Sequence, residues 1–145
     1  MAVGGRIDDV TFLDVEADRA GRVIAIGAVR GAETLRTAGD AVGVRALAAF
    51  CGAGPVAGHN LCAHDLPLLV ALTESFAIAP ERGIDTLIGS FLADPTRLSH
   101  ALDKSDAPEQ RGAVPDPVAD AARARDRLVQ CAETLRALDV TEASF

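Results

Sequence analysis

The segment Thr11-Phe12-Leu13-Asp14-Val15-Glu16 ends an apolar run on two carboxylates, and its reading decides the fold. Val10 to Val15 is rich in β-branched and large apolar residues, the composition of a strand. Side chains alternate across a strand, so Asp14 and Glu16 share one face while Leu13 and Val15 take the other. Two acids side by side repel each other unless a positive charge sits between them. A hard divalent cation such as magnesium, which takes oxygen ligands, is the simplest such partner. For so short a motif, a polar strand end facing water is the plain alternative.

The surrounding elements alternate. Arg22 to Val29 reads as a second strand and Glu33 to Thr37 as a short third, close enough in sequence to form an antiparallel meander. Ala41 to Cys51 carries the apolar spacing of a helix, which the run Gly52 to Pro55 stops. Val56 to His59 is a short buried strand. Asp65-Leu66-Pro67 opens a helix running to about Phe76, with Asp65 placed either to cap it or to bind something. Gly83 to Thr86 is another short strand, followed by a helix from Leu87 to Leu92. Pro95 to Pro117 is the loosest stretch, with a short helix expected over Leu98 to Leu102. Asp116-Pro117 is a strong helix start, and the last helix runs to about Leu138 with Ala121, Leu128, Ala132 and Leu135 on one face. A meander followed by alternating helices and strands predicts an α/β fold around a mixed sheet.

The chain has 145 residues, 49% of them hydrophobic, which suits one packed domain over residues 1–145. No stretch approaches the ~20 apolar residues of a membrane span, and Met1 to Asp9 lacks the apolar core of a secretory signal. Cys51, Cys62 and Cys131 are odd in number and have no paired spacing, so they read as reduced, buried thiols of a cytoplasmic protein. A net charge of −7 argues against a protein that coats nucleic acid by charge alone. It leaves room for an enzyme that meets phosphates through bound metal ions.

Three places then matter together: Asp14 with Glu16 on a strand, Asp65 opening a helix, and Asp120 in the first turn of the last helix. Each has a structural reading. Asp65 can be a cap, Asp120 can answer the helix dipole, and His59-Asn60 can close a strand end by bonding to backbone.

Phe12-Leu13-Asp14-Val15-Glu16 followed by Ile26-Gly27-Ala28-Val29 resembles the first motif of the DEDD (DnaQ-like) 3′–5′ exonucleases. Gly58-His59-Asn60 with Asp65-Leu66-Pro67-Leu68-Leu69 is similar to the second motif of that family. Ile84-Asp85-Thr86-Leu87 resembles its "DTL" strand, and Asp120-Ala121-Ala122-Arg123-Ala124 its third motif. The resemblance spans roughly residues 8 to 137. The spacing from His59-Asn60 to Asp65 and the run Asp116-Pro117-Val118-Ala119-Asp120, together with Gly83-Ile84-Asp85-Thr86 and Leu98-Ser99-His100, resemble exonuclease domains fused to bacterial DNA helicases. By that likeness the chain would be the N-terminal piece of a longer helicase-fused protein.

The resemblance implies a ribonuclease H-like fold, with Asp14, Glu16, Asp65 and Asp120 as catalytic ligands of two magnesium or manganese ions. It implies 3′–5′ hydrolysis of single-stranded nucleic-acid ends, DNA ahead of RNA, with His59 and Asn60 against the terminal nucleotide. The chain departs from the family at the general base. Pro115 stands where most members carry a His five residues before the last Asp, and Asp116 where another branch carries a Tyr. Asp116 and His100 are the remaining candidates for the base, each with a structural reading beside it. Two other readings stay open: a catalytically silent module that binds nucleic-acid ends or a helicase partner, and a purely structural domain.

Overall fold

The apolar alternation of the N-terminal third builds three antiparallel strands: β1 (Thr11–Ala17), β2 (Val23–Arg30) and β3 (Glu33–Ala38). On the other side of β1, the short buried run β4 (Val56–Gly58) pairs parallel to it, and β5 (Gly83–Asp85) pairs parallel to β4. The result is a five-stranded mixed sheet of order β3-β2-β1-β4-β5. These strands belong to a computed structural model, which describes residues 6–73, 76–102 and 115–142.

Helices cover both faces. Helix α1 (Ala41–Cys51) starts where Asp40 accepts from the Gly43 amide at 2.8 Å, and it buries Gly43, Val44, Leu47 and Cys51 at helical spacing. These side chains meet Leu13, Val15, Ile26 and Ala28 from one face of the sheet, joined by Leu61, Leu69 and Phe76. The opposite face presents Phe12, Val29 and Ala57 to Ala121 and Ala124 of the long helix α4 (Pro117–Glu142). Burying a side chain such as Phe12 or Leu13, both fully enclosed, stabilises the fold by about 2 kcal/mol each. Helix α3 (Thr86–Ala93) lies against α4.

The face with Phe12 is also the face with Asp14 and Glu16, so alternation along β1 aims both carboxylates at the start of α4. Gly27, paired with Asp14 across the β1–β2 ladder, lets α4 come this close. A Cβ there would collide with the Pro117 carbonyl carbon and the Val118 amide. Only a residue without a side chain admits the helix start at this point.

Five local expectations change. The helix expected from Asp65 begins earlier, as a π-helical turn over Leu61–Asp65, and continues as α2 (Leu66–Leu72). Asp65 therefore sits inside helical backbone and makes no side-chain capping bond. That helix also stops before Phe76, because β-branched Thr73 turns extended; Phe76 still reaches the core from the following turn. No helix forms over residues 98–102: Asp94 ties a turn to Thr96, Leu98 is exposed, and His100 is the residue that turns inward. The buried face of α4 runs through Ala121, Ala124, Arg127 and Cys131, whereas Leu135 is exposed because the helix outruns the sheet. Of the three thiols, Cys51 and Cys131 are buried but Cys62, on the outside of the π-helical turn, is exposed. The middle of the loose stretch, residues 103–114, lies outside the described residues. No helix among the described residues is long and apolar enough to cross a membrane.

Candidate metal centre

Asp14 and Glu16 project from β1 toward the first turn of α4, which carries Asp120. Ligand oxygens of these three residues lie within 4.8 Å of one another. Two oxygens on opposite sides of one magnesium or manganese ion, each about 2.1 Å from it, are about 4.2 Å apart, so a single ion fits this spread with small side-chain adjustments. Asp65 joins from the π-helical turn. It is 1% exposed, and its Oδ2 is buried with no hydrogen-bond partner. An orphaned buried carboxylate oxygen costs free energy unless a cation answers it. Gly58 makes room for Asp65, since a Cβ there would stand 3.0 Å from the Leu13 carbonyl oxygen and 3.3 Å from Asp65 Oδ2.

The electrostatics tie the four acids together. Burial pushes the Asp14 carboxyl up to about 8, and the charges of Asp65, Glu16 and Asp120 push it in the same direction. Burial likewise raises Asp65 to about 7, against the pull of a hydrogen bond from His64 and the Val15 backbone. Two carboxyls near neutrality in one cluster are what crowded, half-dried acids produce without a cation. The donor set is all oxygen and contains no thiolate, which suits a hard divalent ion. The acidic triad could hold a metal ion.

Three residues that the sequence reading passed over support the acids. His64 places Nδ1 2.9 Å from Asp65 Oδ1, its ring half open to solvent. Arg123 donates to Asp120 Oδ1 at 2.7 Å from one turn further along α4, and both side chains are largely buried. Asp85 holds the turn that carries Asp65: its Oδ1 accepts from the Asn60 and Leu87 amides, and its Oδ2 from the Cys62 amide at 3.0 Å. Asp85 is thus the cap of α3 and a clamp on the π-helical turn. The sequence signal is an Asp directly before an apolar helix, at the end of a stretch that also reads as a strand.

The remaining candidates from the sequence are placed as follows. His59 directs Nδ1 to the Thr86 hydroxyl at 2.9 Å, and Thr86 donates to the Gly58 carbonyl. Asn60 adopts the left-handed conformation, φ 67°, at the start of the π-helical turn. Both residues knit β4 to β5 and α3. Burial, with the nearby charges of Arg127 and His100, keeps the His59 imidazole less basic than usual. Asp116 caps α4 by accepting from the Val118 amide at 3.0 Å, and the same oxygen pairs with Arg36 at 3.0 Å on an exposed edge. His100 is 7% exposed, bonded through Nδ1 to Ser90 Oγ at 2.8 Å and set against the Phe91 ring. The structure therefore brings Asp14, Glu16 and Asp120 together, sets Asp65 outside that triad but near enough for its charge to act on Asp14, and gives Asp116 and His100 structural bonds of their own.

A scan against protein-family models finds no match to the chain, and a search of curated proteins finds none either.

Proposed function

We propose that the protein is a divalent-metal-dependent phosphodiester hydrolase of ribonuclease H-like fold, acting as a 3′–5′ exonuclease on single-stranded DNA ends. The observation that carries this reading is the convergence of Asp14 and Glu16 from β1 with Asp120 from α4, while the charge of Asp65, from the π-helical turn, also acts on Asp14. The order of the motifs along the chain supports it, as does a mixed sheet whose first three strands are an antiparallel meander. In this reading Asp14, Glu16 and Asp120 hold one ion, and Asp14 with Asp65 holds a second. Magnesium or manganese bound there would activate water and stabilise charge on the leaving 3′ oxygen.

The protein's own residues have defined tasks in that reaction. Asp65, whose ionisation is opposed chiefly by burial, would be held charged by a bound cation, and His64 engages its Oδ1 while Oδ2 keeps no hydrogen-bond partner. Arg123 orients Asp120 through its charge-assisted hydrogen bond. His59 and Asn60, at the end of β4, shape the floor on which the terminal nucleotide would rest. In the native protein a helicase, in the same chain or as a partner, would supply the single strand.

A second reading has a specific observation behind it: Asp120 Oδ1 is already held by Arg123, and Asp116 by Val118 and Arg36. Such a site could bind an end or a helicase partner without cutting. The test is an oligonucleotide labelled at its 5′ end, as DNA and as RNA, with magnesium, manganese or chelator, against the D14A protein. A metal-dependent ladder shortening from the 3′ end and absent in D14A supports the exonuclease. Metal binding without a ladder supports the silent module, and a ladder that persists in D14A means that the assigned acids do not carry the cleavage.

A further inference from the structure

Arg127 lies seven residues beyond Asp120 on α4, two turns along and on the same face, about 10 Å away. It is only 4% exposed. A guanidinium is always charged and carries five N–H donors. Its hydrogen bond among the described residues goes from Nη2 to the Ala101 carbonyl at 3.0 Å, and no carboxylate among them pairs with it. Burying such a charge without an anion costs several kcal/mol. The side chain borders a cleft of about 300 Å³ between α3 and α4, also lined by Arg97, Ser90, Gln130 and Thr134. Arg97 is steadied there by its Nε bond to the Ser99 carbonyl at 2.7 Å. One acid, Asp94, stands on the rim, and its Oδ1 is engaged with the Thr96 amide and hydroxyl.

We propose that this cleft is a phosphate-binding subsite, in which Arg127 from below and Arg97 from the rim hold a phosphate anion. The chemistry follows from the pair. Two forked guanidinium groups match the oxygens of a phosphate, and a cleft at the small end of ligand pockets suits an anion better than a large organic molecule. The anion supplies the counter-charge that Arg127 lacks among the described residues. Its source is either a free phosphate, including a mononucleotide, or the backbone of a nucleic-acid strand. Binding itself stands apart from the nuclease reading; assignment to a strand rests on that reading, because a short strand ending at the acids could reach α4 two turns away.

The test uses the whole chain in chelator, so that no metal and no cleavage enter. Wild type, R97A, R127K and R127M are melted across a titration of inorganic phosphate against chloride at matched ionic strength. Phosphate should raise the wild-type melting temperature in a saturable way. R97A, a change on the exposed rim, and R127K, which keeps the charge but loses the fork, should each weaken phosphate about tenfold or more. R127M should melt higher than wild type in chloride and ignore phosphate, because the uncompensated charge is gone. Equal melting of wild type in phosphate and chloride overturns the subsite, as does a phosphate response that R97A and R127K leave intact. The source is read with a labelled oligonucleotide and D14N protein. If phosphate displaces the oligonucleotide and R97A weakens it, the cleft takes a strand; saturable phosphate binding without displacement assigns it to free phosphate.

Discussion

Replacing Asp14 with Asn, in the absence of metal, should stabilise the protein at high pH. The Asp14 carboxyl is pushed from 3.8 up to about 8, chiefly by burial and then by Asp65, Glu16 and Asp120. A raised acid holds in the folded state a proton that the unfolded chain gives up, so unfolding free energy falls as pH climbs from about 4 to about 8. Borne by Asp14 alone, a rise of about four pH units at 1.36 kcal/mol each amounts to about 6 kcal/mol by pH 8. The neighbouring acids share the protons and Asp14 keeps some contact with water, so about half, or about 3 kcal/mol, is the effect expected of one replacement. For a chain of this size that is about 9 °C in melting temperature at pH 8, and little at pH 4. His59, held less basic than usual, shifts stability in the opposite direction below its ordinary 6.5, but equally in both proteins. Magnesium or manganese should then reverse the order. At about 100 times its dissociation constant, a metal ion adds about 2.7 kcal/mol to wild type and little to D14N. Thermal melts at pH 4 and 8, in chelator and in metal, read all four corners. If wild type and D14N melted together at pH 8 in chelator, the crowding of acids around Asp14 would be refuted.

Three further substitutions probe the frame of the site. Gly27→Ala should cost about 2 kcal/mol or more, since the new methyl meets backbone at Pro117 and Val118 where neither neighbour can rotate away, and metal affinity should drop as Asp120 moves with α4; urea melts that match wild type would mean α4 is not seated on β2. His64→Ala removes the strongest influence opposing the upward shift of Asp65, so manganese should bind about tenfold more weakly at pH 7 and recover toward pH 9, and calorimetric titrations showing no change at either pH would make His64 a bystander. Asp116→Asn retains an oxygen for the Val118 amide and loses only an exposed pair with Arg36, so it should cost less than about 1 kcal/mol and leave any cleavage rate within about threefold. A larger loss of rate in a gel assay would make Asp116 a participant in the chemistry.

The parts of the fold that could be read from the sequence are those where local pattern and tertiary role agree. Strands β1 to β3 and helix α1 follow directly from alternation, helical spacing and the Asp40 cap, because each element buries one regular face. The grouping of Asp14 and Glu16 with Asp120 is legible for a related reason: strand alternation fixes the direction of the first two, and the first turn of α4 that of the third. The misread places are those where a long-range bond overrides local preference. Asp65 looked like a cap because Pro67 follows it, yet Asp85, twenty residues later, clamps the Asn60 and Cys62 amides and starts the helix a turn early. His100 lies on a polar loop that offers no periodicity, and its burial depends on Ser90 and Phe91 from α3. Neither partnership has a signature within a window of a dozen residues. The arginine on Asp120 escaped notice for a simpler reason, since an i, i+3 acid–arginine pair on a helix ordinarily reads as surface decoration.

The distribution of charge along α4 bears on how a chain of net charge −7 could meet a polyanion. Acids stand at its N-terminal end, Asp116 outside and Asp120 inside, where the helix dipole favours negative charge. Arginines follow at 123, 125 and 127, and they are spent differently. Arg123 is committed to Asp120, and Arg125 donates to the Gly31 carbonyl and lies near Asp126. Among the described residues, Arg127 alone of the three is both buried and without an acid. A helix that carries Asp120 of the acidic triad at one end and, two turns later, a buried guanidinium without a carboxylate partner among the described residues would offer a phosphate two cationic contacts, the guanidinium and any cation held by the triad, whatever the sign of the whole surface. In the proposed reading the overall negative charge would limit nonspecific sticking to long nucleic acid, and the two sites on α4 would favour a short, phosphate-bearing end.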